Sequence, residues 1–550
     1  MLRVQNIYRF IFIILALGSC GIEHKKDDSR SVFQYNELNG LSSLDPAAAG
    51  NFENIWPVNQ IFNGLVELDD SLEVKPCIAS SFSISPDGML YTFRLRQDVY
   101  FHDDACFAEG KGRRVNARDF VYSFNRLYDS RVSSALSLLD RVEQGEKSHF
   151  QGFSALNDST LIIQLKEPFS AFPSVLSMKY FSVIPHEAID YYKQEFRTHP
   201  VGTGPFRFKT WEEGNKLILH KNENYFEKDA AGVMLPYLDA VTISFIKDRE
   251  TAFMELLNGK FDMLSGADAF NINEVLDKEG ELRDLYAARF FLQKGTYLKT
   301  DYIGILVDDN LELVQQSPLK LKAVRQAMNY AFDRDKLVKY LRNNIGEAAH
   351  AGFLPKGARS YDPVKVKGYT YDPDKVKDLL AQAGYPNGKG LPELTLHITD
   401  SYKEQAEFIQ AQLAENNIRV NISVDKTSIL RQAVNNSEYL LFKKSWFCDY
   451  ADDENFMSLF FSRNFTPKGV NFFHFRNQRF DSLYIKALKS SDQYANRILY
   501  QRMDSLLIAE APVIPLYYDQ VVRLVSKKVS GLGINAMNLL NLKTVKKRKD

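Results

Sequence analysis

The chain has 550 residues, too many for one hydrophobic core, so two to four domains are expected. Apolar residues make up 45% and charged residues 25%, the balance of an ordinary globular chain. Lysine plus arginine equals aspartate plus glutamate at 69 each, which excludes a global field drawing the protein to nucleic acid or anionic lipid. Aromatic residues reach 13%, a richness that suits a binding cleft as well as a core.

In chain order, Arg3 and Arg9 precede an apolar run from Phe10 to Leu17, followed by Gly18, Ser19 and Cys20. A charged start, a short apolar run and small residues at its exit describe a secretory signal. The run is too short to span a bilayer. Its Leu17-Gly18-Ser19-Cys20 ending resembles a bacterial lipobox, which implies cleavage before Cys20 and lipidation of its thiol; an ordinary signal with an incidental cysteine is the alternative. Gly21 to Arg30 reads as a polar tether. Cys77, Cys106 and Cys448 remain, so one bridge is conceivable in an oxidising compartment, with Cys77 to Cys106 the candidate.

Val32 to Asn36 reads as a strand. Ile78 to Ile84 and Met89 to Leu95, joined by Ser85-Pro86-Asp87-Gly88, read as a hairpin. The Gly-rich basic loop from Cys106 to Arg114 lacks the P-loop pattern and reads as a solvated loop. Asn116 caps a helix with Phe120, Val121, Phe124 and Leu127 on one stripe. Leu161 to Leu165 and Lys216 to His220 read as strands, and Val201 to Phe208 as a Gly/Pro turn entering a strand. Asp248 to Asn258 is helical in pattern and ends at Gly259. Val324, Ala327, Met328 and Ala331 carry helical spacing. Asp372 and Pro373 start a further helix that Gly384 ends. Leu394 to Ile398, Tyr402 to Glu415 and Ile418 to Val424 read as strand, helix and strand, a βαβ unit. The tail from Lys543 to Asp550 is basic and reads as solvated.

Ser445 to Phe456 is the stretch with the most chemistry in it. Asp449 lies among Trp446, Phe447, Cys448 and Tyr450, and an acid in apolar surroundings needs a cation or several hydrogen bonds. Two readings follow from these residues: a pocket floor that captures a ligand ammonium, or a capping aspartate in a loop. Trp446 reads as a pocket wall or as core, and Cys448 as a small wall residue.

An enzyme needs a constellation, and the sequence offers none by motif. No two of the nine histidines lie within ten residues of each other. His186-Glu187 lacks a second histidine for a zincin pair, and Phe101-His102-Asp103-Asp104 reads as a polar turn rather than a metal cluster. There is no G-x-S-x-G elbow and no C-x-x-C. No catalytic residue, metal ligand or cofactor is assigned.

Six blocks, in order, resemble the family 5 extracellular solute-binding proteins of ABC importers, whose best-known members bind oligopeptides and dipeptides. They are Ala79 to Arg126, with its Ser-Pro-Asp-Gly turn and its V-N-A-R-D-F-V-Y-S-F-N-R ending; Gly202-Thr203-Gly204-Pro205-Phe206 with Lys221-Asn222 and Tyr225-Phe226; Val324 to Arg334; Tyr371-Asp372-Pro373 with Leu379 to Tyr385; Trp446 to Phe456; and Ala511 to Tyr518. Two departures stand out. The loop from Ala105 to Arg114 is longer than in many members, and Asp452-Asp453 stands where many have Asp-Pro.

The resemblance implies an α/β, two-lobed periplasmic-binding-protein fold (type II, cluster C) with an extra domain in the first lobe. It implies a signal peptide at 1–19, a lipid-anchored linker at 20–30 and the first lobe's domain at 31–54, 202–297 and 515–550. The extra domain would be 55–201 and the second lobe 298–514. The implied function is capture of short peptides between the lobes and delivery to a permease, by a monomeric, non-enzymatic lipoprotein of the bacterial cell envelope. Asp449 would pair with the peptide's α-ammonium. The main chain of Ser445, Trp446, Phe447 and Cys448 would pair with peptide backbone as an added strand does. Asn39, Gly40 and Leu41 would do likewise from the other side. A nickel chelate, haem or an oligosaccharide as the ligand, a peptide sensor, and a hydrolase with a scattered site are the competing readings.

Overall fold

The computed structural model describes residues 30–133, 135–144, 152–266 and 270–548. The signal sequence and the lipid site at Cys20 lie outside the described residues. Among those described, no helix is long and apolar enough to cross a membrane.

Two sheets organise the molecule. In the larger, ten strands run in the order Val420–Val424, Leu394–Ile398, Leu441–Phe447, Phe290–Ile305, Val513–Ser526, Met263–Ser265, Val32–Asn36, Ala240–Ser244, Lys216–Lys221 and Phe206–Glu212, and Glu347–Ala348 pairs on the side of the Val513–Ser526 strand. The two longest strands, Phe290–Ile305 and Val513–Ser526, pair at the middle of this sheet. Their register slips between Thr296 and Thr300 and again between Asp301 and Tyr302. Bulges bend and twist a strand, and these two fall within this central pair. The second sheet is antiparallel, in the order Ala79–Ile84, Leu90–Leu95, Thr160–Gln164 and Phe153–Asn157.

Local sequence chemistry explains most element ends. The Ala117–Asn125 helix starts with a capping box in which Asn116 and Asp119 satisfy each other's backbone. Asp248 caps Arg249–Leu257 and Asp372 caps Pro373–Gln382, with Gly259 and Gly384 at φ +78° and +88° beyond their ends. Leu394–Ile398 and Val420–Val424 pair in parallel on either side of the Lys403–Glu415 helix, the expected βαβ unit. Its apolar stripes close over a core of Ile303, Val324, Leu396, Ile409 and Ile514.

The shared motifs are structural clamps. In the Val324 to Arg334 block, the Arg325 guanidinium donates to the carbonyls of Leu319, Glu510 and Ala511. Arg334 donates to Pro515 O at 2.7 Å, and Asn329 to Val513 O. Buried guanidinium and amide groups thus hold the start of the Val513–Ser526 strand. At the other end of the molecule, Arg126 bonds both oxygens of Asp45, which in turn caps the turn at Pro46–Ala48. Gly202 and Gly204 pack against the backbone of Gln60 and Ile61, where a Cβ on Gly202 would stand 2.1 Å from Ile61 O. The Gly202→Ala variant is expected to lose about 1–3 kcal/mol of stability, read as a lower urea midpoint, because backbone rather than a flexible side chain must move.

Several expectations are corrected. The basic tail is docked, not solvated: Lys543 bridges Glu67 and Glu227 at 2.9 and 2.7 Å, and Lys547 pairs with Asp262 at 2.9 Å. The Lys546–Lys547 strand pairs with Val529–Ser530. The long basic loop is also engaged, since Arg113 forks onto Asp119 and Glu187 and Lys111 pairs with Asp103. Cys77, Cys106 and Cys448 are all free thiols.

Candidate ligand-binding site

The Leu441–Phe447 strand carries the site. On one edge it pairs antiparallel with Phe290–Ile305, matching Lys299 with Phe447, Thr300 with Trp446 and Asp301 with Ser445. On the other, the parallel Leu394–Ile398 strand covers only Leu441 and Phe442. The edge from Lys443 to Phe447 is thus left open by that neighbour. Cys448 N donates to Leu298 O, so alternation turns the N–H and C=O of Ser445 and Phe447 toward the open edge. An extended ligand can add there as a strand.

Just past this strand the chain turns at Asp449. Asn455 holds the turn: its Oδ1 accepts from Trp446 Nε1 at 2.9 Å and from Asp449 N at 3.2 Å, and its Nδ2 donates to Asp449 Oδ2 at 3.4 Å. Trp446 packs against Phe472 and so anchors the loop. Phe447, on the opposite face of the strand, meets Phe52, which also touches Tyr297. Phe447, Cys448 and Asp449 line a cavity of about 190 Å³ together with Phe52, Met178 and Met537. Ser445, Trp446, Asn39, Gly40 and Leu41 do not line it. Asn39 and Gly40 sit in a turn with Gly40 at φ +79°, and Asn39 donates to Glu53.

The carboxylate of Asp449 opens to solvent through the cavity mouth, yet protein surrounds it closely. Burial pushes its proton affinity up, and only the Asn455 hydrogen bond works against that. It forms no ion pair among the described residues. Lys179, a cation in the cavity wall, is influenced by Glu67, Cys77 and Lys543 rather than by Asp449. Asp449 is thus an exposed acid at the cavity mouth, raised by the protein around it and without a cation among the described residues.

A second group of charges lies on the Phe447 face of the same sheet. Lys443 Nζ is 2.7 Å from Asp301 Oδ1, and Lys299 Nζ is 3.4 Å from Asp301 Oδ2 and 2.7 Å from Asp519. Arg342 meets Asp519 at 2.6 Å. Burial alone would raise the Asp301 carboxyl, but Lys299, Lys443 and Arg342 hold it well below the usual range. Three cations against two carboxylates leave one positive charge in excess. Lys299 is the exposed end of this network on the Phe447 side, with 21% of its side chain accessible against 3% for Lys443.

The Asp452-Asp453 departure also has a structural role. Asp453 accepts from the backbone N–H groups of Arg359 and Ser360, and Asp452 accepts from Glu454 N. Burial pushes Asp452 and Asp504 each up to about 7, with the charge of Asp453 adding to it, and Glu37 is raised to about 7 by burial and Glu53. The folded chain holds these protons more tightly than the unfolded one. Their stabilisation is complete below about pH 4 and is lost as pH rises toward 7. His102, lowered to about 4 by burial, has the opposite sign over about pH 4 to 6.5, but it is one group against three. The thermal midpoint is therefore expected to fall from pH 5 to pH 7, and Asp452→Asn to make that fall shallower.

Glu67, Cys77 and Glu227 present ligand atoms within 4.8 Å of one another. Lys543 donates to both carboxylates, and burial holds the Cys77 thiol protonated, so the cluster is occupied by an ammonium.

The two-lobed fold that carries this site matches known proteins over most of the chain. Residues 73–467 match the family described as bacterial extracellular solute-binding proteins, family 5 Middle. The chain belongs to this family. Its members bind solutes and deliver them to ABC transporter permeases, and they are binding proteins rather than enzymes. The glutathione-binding protein GsiB of Pectobacterium atrosepticum is 29% identical over 500 residues, 90% of each chain, and that of Salmonella typhimurium is 28% identical over 506 residues. Among solved structures, the periplasmic binding protein DppA from Helicobacter pylori, in complex with peptide STSA, is 28% identical with a TM-score of 0.74, covering 95% of this chain and 99% of that one. HbpA2 from Haemophilus parasuis superposes with a TM-score of 0.80 at 23% identity, covering 94% and 100%.

Proposed function

We propose that this solute-binding protein captures short peptides with a free amino terminus in the cleft beside Asp449 and hands them to an ABC permease. The observation that carries the reading is Asp449 itself, a carboxylate exposed at the cavity mouth with no cation among the described residues. A ligand α-ammonium supplies that cation. The open edge at Ser445 and Phe447 supplies backbone hydrogen bonds that do not depend on side chains, and Phe52 and Phe447 offer apolar contact. The excess positive charge around Lys299 gives the ligand's carboxylate end a favourable field on the same face of the sheet.

Relatives named for glutathione and a structural neighbour holding the peptide STSA both fit this chemistry, because each ligand carries an α-ammonium, amide groups and a carboxylate. In the same reading, the leader ending at Cys20 makes the protein a lipid-anchored member of the cell envelope, acting as a monomer. Residues 298–514 form the second lobe, with the remaining domain limits as expected above.

Native mass spectrometry of the soluble form beginning at Gly21 tests the ligand class. A heterogeneous excess of a few hundred daltons that fragments as peptides, or titration to a single occupied site with the peptide Ser-Thr-Ser-Ala or with glutathione, is the expected result. A discrete adduct that fragments as sugar, haem or a metal chelate contradicts it.

A further inference from the structure

A larger cavity, about 460 Å³, lies on the other side of the Asp449 to Asp453 loop. It falls within the ~300–1,000 Å³ range of small-ligand sites. The four-stranded sheet and the segment from Pro168 to Ser174 form one wall. The Gln478–Lys489 and Gln493–Glu510 helices form the other. The hydrogen bond from Ser174 Oγ to Ala451 O, at 3.3 Å, stands between this cavity and the Asp449 cavity.

Its deep end is rich in unused acceptors. Asn496 turns its Nδ2 to Ser490 O at 2.9 Å, which leaves Oδ1 without a partner among the described residues. Among the described residues the Tyr500 hydroxyl also has none. Both side chains are buried, at 9% and 4% exposed, and both line the cavity. Asp452 commits one oxygen to Glu454 N and borders the same space. Around these groups the wall combines apolar Phe82, Pro86, Pro168 and Phe169 with Arg359, which is already paired with Glu73 at 3.1 Å. At the rim, Lys489 and Arg497 are exposed and form no ion pair among the described residues. Buried polar groups left unpaired are costly, and these converge on one space with opposite charge at its mouth.

We propose that this cavity is a second ligand site that takes a small zwitterion, its ammonium among Asp452, Asn496 and Tyr500 and its carboxylate toward Lys489 and Arg497. The site joins two parts of the molecule. Ser170 already bonds the carbonyls of Leu488 and Ala487 across the same junction. An occupant therefore ties the extra sheet to the helices that follow the Asp449 loop, and biases how those parts sit when the main cleft is filled.

Isothermal titration of the soluble chain from Gly21 with three probes of one length, 4-aminobutyrate, putrescine and succinate, tests the site. The Asp449→Ala variant serves as the starting protein, so that the main cleft has lost its acid. One saturable event with 4-aminobutyrate, at least ~10-fold tighter than succinate or putrescine, is expected. Asp452→Asn in that background weakens it at least ~10-fold. Tyr500→Phe, which removes only the partnerless hydroxyl and is expected to fold normally, weakens it at least ~3-fold. No saturable event, or an event that neither substitution changes, overturns the proposal. A 4-aminobutyrate event present in the wild type and abolished by Asp449→Ala assigns that binding to the main cleft and overturns it as well.

Discussion

Replacing Asp449 by alanine lowers the affinity for a short peptide with a free amino terminus at least ~30-fold, while the fold persists. The carboxylate has one weak hydrogen bond to Asn455 and no ion pair among the described residues, so none of their contacts depends on its charge. In the complex it faces the ligand ammonium, and the ligand itself covers a carboxylate that is exposed in the free protein. At about 4 Å and an effective dielectric near 20, such a pair gains roughly 4 kcal/mol before desolvation. Removing one partner of a buried interfacial pair costs about 2–5 kcal/mol. Calorimetry on the wild type and the variant measures the difference directly, and an unchanged affinity in a folded variant contradicts the assignment. Because the acid is raised by burial, removing it in the absence of ligand is expected to leave the thermal midpoint unchanged or slightly higher.

Lys443→Met has its large effect on stability. Asp301 is fully buried, and its shortest ion pair is the 2.7 Å contact with Lys443. The methionine leaves that carboxylate with the longer 3.4 Å pair to Lys299 and the more distant charge of Arg342. Breaking a buried pair from one side costs about 3–5 kcal/mol, whereas replacing both partners with apolar residues of similar size is often near neutral. A urea titration should show Lys443→Met strongly destabilised and Lys443→Met with Asp301→Leu largely restored. A double variant no more stable than the single one would mean that the network holds the bend between the lobes by more than mutual neutralisation. The Lys443 ammonium also lies 3.9 Å over the Tyr402 ring, so some loss belongs to that contact.

Local chemistry was legible where a residue acts on its near neighbours. Asn116, Asp248 and Asp372 are caps in the sequence and caps in the structure, and the alternation in Leu394–Ile398 and Val420–Val424 does form parallel strands. The stretch around Asp449 was legible as an acid among aromatics. The role of Asn455 was not, because an asparagine in a loop carries no signal until Trp446 Nε1 and Asp449 N are seen to share its oxygen. Phe52 and Met178 reach the cavity from parts of the chain hundreds of residues away, and no periodicity announces that. The Lys299, Asp301, Arg342, Lys443 and Asp519 network is drawn from four separate elements and appears only when the strands are in register. The tail misled for the same reason. Lys543 and Lys547 look like a solvated run until Glu67, Glu227 and Asp262 are brought to them.

The most direct test of the central claim compares one peptide, Ser-Thr-Ser-Ala, with its N-acetylated form on the wild type and on Asp449→Asn. Acetylation removes the ammonium and leaves the backbone, side chains and carboxylate in place. Calorimetry should show the wild type preferring the free amine at least ~30-fold and Asp449→Asn losing most of that preference. Equal binding of both peptides by the wild type, or a preference that survives in Asp449→Asn, would contradict the account of Asp449 as the partner of the ligand's ammonium.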